Sequence, residues 1–143
     1  MKKINFLDVI LVLFAVLFVY AALTKLIVFD EFKAQISKSP LIMHHSWWLA
    51  WTVPTVEIVV ALMLFIPRVQ LFALYASFFI MFVFTIYIGF MLAFTPNLPC
   101  SCGGILSSMG WKEHFFFNVG FTLLAVVGIL LFNRQHRTQT LIV

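Results

Sequence analysis

Charge is what this sequence lacks. Five acidic and nine basic residues make up only 10% of its 143 positions, while 64% are hydrophobic. A soluble domain averages about 25% charged and about 45–50% apolar residues. The shortfall excludes a water-soluble core of this size, and the mean hydropathy of +1.10 agrees. Any long polar segment is missing too, which leaves no soluble domain beside the membrane part. One membrane domain, 1–143, is expected. The small excess of +4 does not indicate a nucleic-acid partner. The basic residues are scattered over helix ends and loops, where topology and lipid headgroups use them. Cysteine is nearly absent. Cys100 and Cys102 stand one residue apart, and there is no second pair.

What is present is four apolar runs, each near the roughly 20 residues a span needs. They predict an all-α protein, an antiparallel bundle of four transmembrane helices at about 6–29, 47–66, 69–94 and 111–132. A short turn at Pro67-Arg68 joins the middle two. Met1-Lys2-Lys3 before the first run resembles a signal peptide. That run exceeds the roughly 7–15 apolar residues of a signal core, so a retained helix is expected. Lys2, Lys3, Arg68, Arg134 and Arg137 fall on one side of the bundle. Lys25, Lys33, Lys38 and Lys112, offset by Asp30, Glu31 and Glu113, fall on the other. The positive-inside rule then puts both termini in the cytoplasm and the cysteine loop outside, on the periplasmic side of a bacterial inner membrane. Disulfides persist on that side.

The first outer loop carries Phe29, Phe32 and Ile36 at helical spacing among charges, up to Ser39-Pro40. This predicts a short amphipathic helix at the interface. Trp47, Trp48 and Trp51 form an aromatic belt beside it.

Charges inside spans are costly and each needs a reason. Glu57 lies too deep, on too short a side chain, to reach water. It must be paired, hydrogen-bonded or protonated. Lys25 is the natural partner, with snorkelling as its alternative. A proton relay through Glu57 is the second reading. Trp111, His114 and Asn118 share one face of the fourth helix at i, i+3 and i+7. An imidazolium near a cysteine lowers the thiol pKa. The alternative is an interfacial histidine with an asparagine that joins helices.

Pro99-Cys100-Ser101-Cys102-Gly103-Gly104 allows three readings. A bridge between near neighbours closes almost no loop, so a structural staple gains little. A redox pair fits a small, strained ring, since strain makes a disulfide easier to reduce. A metal site would use Cys100, Cys102, His114 and His44 or His45, although Cys-x-Cys is tighter than ordinary zinc spacing.

Taken in order, Tyr20, Lys25-Leu26, Phe32, Ile36, Pro54-Thr55-Val56-Glu57, Cys100-Ser101-Cys102-Gly103-Gly104, Trp111, His114 and Asn118 resemble the DoxX-like membrane proteins. The likeness is to the branch of the methylamine utilisation protein MauE, and it covers nearly the whole chain. The resemblance implies a four-helix inner-membrane bundle that takes part in periplasmic disulfide or electron transfer, often with a thioredoxin-like partner. It makes Cys100 and Cys102 the redox pair. His114 would tune the thiolate, with Lys25, Glu57, Asn118, Trp111 and Tyr20 as supporting residues. Membrane disulfide-generating enzymes relay electrons to quinone through a second cysteine pair. Here a quinone would take electrons from Cys100 and Cys102 directly. Two other readings stay open: a non-catalytic subunit of a larger membrane complex, and a metal-binding membrane protein.

Overall fold

The computed structural model describes residues 5–39, 42–94 and 110–142. Their regular structure is helical: α1 (Phe6–Ile27), α2 (Phe29–Lys38), a 3₁₀ turn (Met43–His45), α3 (Ser46–Met63), α4 (Gln70–Phe94) and α5 (Trp111–Ile142). Four of these helices are long and apolar enough to cross a membrane. Large apolar side chains stand outward along all four, from Val16 and Leu62 to Phe79 and Phe116. Such outward faces are what lipid requires.

Local chemistry sets the helix ends. Asp8 lies in the first turn of α1, and its Oδ2 accepts from the Asn5 backbone N–H at 3.1 Å. A carboxylate there complements the unpaired N–H groups and the helix dipole. The first span stops at Ile27 rather than near residue 29. Val28 leaves helical geometry, with φ −106° and ψ 41°, and starts α2 in its place. Ser39 is extended, as the residue before a proline tends to be. After Met63 the chain reverses tightly through residues 64–69, where the Gln70 side-chain amide donates to the Leu64 carbonyl at 3.0 Å. The last helix overruns the expected end near residue 132 by ten residues. Hydropathy falls after Phe132, but no proline or glycine follows to stop the helix.

α1 packs chiefly along α3, and α4 along α5, so the bundle is two helical hairpin-like pairs set together. They meet closely at the end holding the start of α1. Ile10, Phe14, Leu64, Leu74 and Ala125 are buried there. A Cβ on Gly128 would lie 3.2 Å from side-chain methyls of both Ile10 and Leu74, which would have to give by a few tenths of an ångström, so glycine eases the close approach of α5 to α1 and α4. Small residues at such crossings are the usual device of membrane bundles.

The apolar stripe of α2 is spent on protein. Phe32 and Ile36 are buried against Ala50, Leu49 and Val53 of α3, and the Phe29 ring lies 4.8 Å from that of Trp51. The expected short amphipathic helix is thus present, and its apolar face docks on α3. Trp47 and Trp48 do face outward, as a belt requires.

Candidate functional site

At the opposite end the two pairs part, and a cavity of about 150 Å³ opens between them. α1 contributes Phe18, Ala21, Thr24 and Lys25, and α3 contributes Glu57. Phe84 and Tyr87 come from α4, and Phe32 of α2 adds a further wall. α5 supplies Trp111, His114, Phe117 and Asn118. The i, i+3, i+7 spacing that put Trp111, His114 and Asn118 on one face delivers all three into a single cavity.

Lys25 and Glu57 meet there. Lys25 Nζ lies 2.7 Å from Glu57 Oε1 and also donates to the Ala21 carbonyl at 3.4 Å. The Glu57 side chain is 2% exposed and that of Lys25 15%. Lys25 is therefore held in the cavity wall rather than drawn out to the interface. Its ammonium also sits over two rings, 5.6 Å from the Phe84 centroid and 5.9 Å from that of Phe32. A cation is favoured on aromatic faces in a dry site, more so than in water. Pro54 lies in α3 one turn before Glu57 and is buried. Its ring removes the N–H that would bond the Ala50 carbonyl, a loss that a packed membrane helix can absorb.

Asn118 lies seven residues into α5, about 10 Å along its axis at about 1.5 Å per residue, and is 3% exposed. Its Nδ2 finds no hydrogen-bond partner among the described residues, and neither does Glu57 Oε2. Both atoms are fully buried, although the two residues line the cavity. Below it the Asn118 carbonyl accepts from Thr122 Oγ1 at 2.7 Å, and Thr122 approaches Thr85 of α4 at 3.4 Å.

His114 is half-buried in the same wall, one turn into α5. The N-terminus of that helix is tied by Glu113, whose Oε2 accepts from the Gly110 N–H at 3.0 Å. Tyr20 does not line the cavity. His44 and His45 stand exposed on the 3₁₀ turn. Among the described residues no three His, Cys, Asp or Glu side chains form a metal cluster. Cys100 and Cys102, and with them the staple, redox and metal readings of their loop, lie outside the described residues. The helix ends that flank their segment are Phe94 of α4 and Trp111 of α5, and Trp111 lines the cavity.

Phe32, Phe84, Tyr87 and Thr24 were not singled out as wall residues by sequence reasoning. Met81, Phe84 and Ile88 do recur at helical spacing, but in an apolar helix that spacing has no polar contrast to mark it.

The family described as methylamine utilisation protein MauE matches residues 3–131 of the chain. No curated protein matches it, and no solved structure does.

Proposed function

The chain belongs to the methylamine utilisation protein MauE family, and on that premise we propose that it is a redox accessory protein of the bacterial inner membrane. Cys100 and Cys102 exchange electrons with a thioredoxin-like protein on the periplasmic side. Both termini and the Arg68 turn are cytoplasmic. One observation carries this reading: Trp111, the first residue of the helix that follows both cysteines in sequence, lines a cavity that also holds His114 and a buried ion pair. The DoxX-like resemblance supports it as well.

The exchange conserves atoms and electrons. A Cys100 or Cys102 thiolate attacks the partner's disulfide and gives a mixed disulfide. The second thiol, losing its proton, displaces the partner. The Cys100–Cys102 bond forms as the partner's disulfide becomes a dithiol, and the reverse reaction uses the same steps. His114 favours the thiolate as a nearby proton acceptor. Lys25 and Glu57 fix α1 to α3 beneath it.

Thiol trapping of the full chain in membranes, across a series of thiol–disulfide buffers, tests the proposal. The expected result is a change of two trapped thiols between the reducing and oxidising ends. A pair that keeps one state throughout overturns it. The reading as a subunit of a larger complex has one observation in its favour: only 17% of the span window in α5 is buried within the chain, against 44% in α1. A stoichiometric partner retained by a fully functional Cys100→Ser/Cys102→Ser chain would establish that reading instead.

A further inference from the structure

α5 is longer than a bilayer needs. From Trp111 to Phe132 it rises about 32 Å at about 1.5 Å per residue, against a hydrocarbon core of about 30 Å. The helix nevertheless continues to Ile142, and residues 133–138 are all exposed. The headgroup layer on each side of a bilayer is about 5–7 Å deep. Arg134 lies about 3 Å past Phe132 and Arg137 about 7.5 Å, so both guanidinium groups reach that layer. At i and i+3 their Cβ atoms are neighbours, about 5–6 Å apart. Two forked guanidinium groups so placed suit a single phosphodiester. On the same stretch Asn133, His136, Arg137 and Thr140 line a polar groove. The His136 ring is set against that of Phe132, with centroids 4.5 Å apart. Asn133 and His136 thus offer hydrogen-bonding groups beside the two arginines.

Charge decides which headgroup fits. Arg134 and Arg137 pair with no carboxylate among the described residues, and no Asp or Glu follows Glu113 in the sequence. Arg68, at the same end of the bundle, is also exposed and without such a partner. Asp8 is the one acid described at that end, and it accepts from the Asn5 N–H. The opposite end is balanced. Lys33 and Lys38 share α2 with Asp30 and Glu31, and Lys112 is next to Glu113. A zwitterionic lipid brings an ammonium group for which the end of α5 has no carboxylate. An anionic phospholipid brings only the phosphodiester, with hydroxyls in place of the ammonium.

We propose that Arg134 and Arg137 form a binding site for the headgroup of an anionic phospholipid, with Arg68 strengthening the positive field around it. The lipid holds the overhanging end of α5, whose span window is only 17% buried within the chain. An acidic protein is the poorer occupant, because it would have to displace headgroups that already surround these side chains. The site serves in either leaflet and does not rest on the thiol–disulfide reading.

The test is native mass spectrometry of the full chain in detergent, titrated with phosphatidylglycerol and with phosphatidylcholine of the same acyl chains. Phosphatidylglycerol is expected to bind more tightly. A basic side chain near a membrane surface contributes roughly fivefold in affinity. Arg134→Gln/Arg137→Gln should therefore weaken phosphatidylglycerol by roughly thirtyfold and leave phosphatidylcholine unchanged. Arg134→Lys/Arg137→Lys, which keeps the charge and loses the fork, should fall between. Lys33→Gln/Lys38→Gln should have no effect. All these side chains are exposed, so the variants are expected to fold. Unchanged phosphatidylglycerol affinity in Arg134→Gln/Arg137→Gln, or an equal loss in Lys33→Gln/Lys38→Gln, overturns the site. Displacement of the lipid by inorganic phosphate at constant ionic strength would assign the arginines to a free anion instead. An acidic protein that copurifies with the parent and is lost from Arg134→Gln/Arg137→Gln, at unchanged lipid affinity, would put a protein in the lipid's place.

Discussion

The two ends of this bundle are built by opposite rules. At the closed end, Gly128, Ala73, Ala125 and Ala61 let helices approach until side chains interlock, with Ile10, Phe14, Leu64 and Leu74 filling what is left. At the cavity end, rings line the gap between the two pairs, and a charged pair joins α1 to α3 in its wall. Lipid tails are as apolar as leucine, so helices in a membrane associate through close contact and hydrogen bonds rather than by escape from water. The closed end supplies close contact. The cavity end forgoes it and keeps polar groups where polar groups are expensive. Close packing and buried polar groups are thus divided along the helix axes, with the Lys25–Glu57 pair as the exception that adds a tie between helices at the polar end.

That exception gives the largest effect. Lys25→Met leaves Glu57 buried without its cation, and removing one partner of a buried pair costs about 3–5 kcal/mol. Replacing both, as Lys25→Met/Glu57→Met, should restore most of the loss in a detergent unfolding titration. A single variant as stable as the parent would mean that the pair is not the clamp between α1 and α3. Next comes the closed end. Gly128→Leu must displace Ile10 and Leu74, each 3.2 Å from even a bare Cβ. The same titration should show a cost of about 1–3 kcal/mol, the usual penalty of overpacking. A variant as stable as the parent would show that the closed end does not depend on this close approach. The smallest effect belongs to the seam below the cavity. Thr122→Val removes the approach to Thr85 at 3.4 Å, and interhelical hydrogen bonds of this kind average about 0.6 kcal/mol. A larger loss would show that α4 and α5 are held by polar contacts rather than by packing.

The four spans were legible because apolar runs of that length have few other uses. Pairing of Lys25 with Glu57 could be argued from depth alone, since a short carboxylate in mid-span needs a cation. The shared face of Trp111, His114 and Asn118 followed from helical spacing, because three polar or amphipathic groups stand out in an apolar helix. The walls contributed by Phe84, Tyr87 and Phe32 did not stand out. Lipid and protein core both accept apolar side chains, so in a membrane helix the period that marks the inner face is blank. For the same reason the choice of neighbours, α1 with α3 and α4 with α5, was hidden. The break at Val28 has no proline or glycine to announce it. The extension of α5 past Phe132 was missed because hydropathy marks the edge of the lipid, not the end of the helix. The roles of Cys100 and Cys102 rest on residue type, topology and family.

The redox state of those two cysteines tests the central claim most directly. The full chain in nanodiscs would be poised against thiol–disulfide buffers, quenched in acid, and its free thiols counted by mass after alkylation. The account predicts that both thiols disappear together along a two-electron curve, about 30 mV for each tenfold change in the ratio of the two states. Two thiols that remain alkylatable at every potential, or a bridge that no buffer opens, would contradict it.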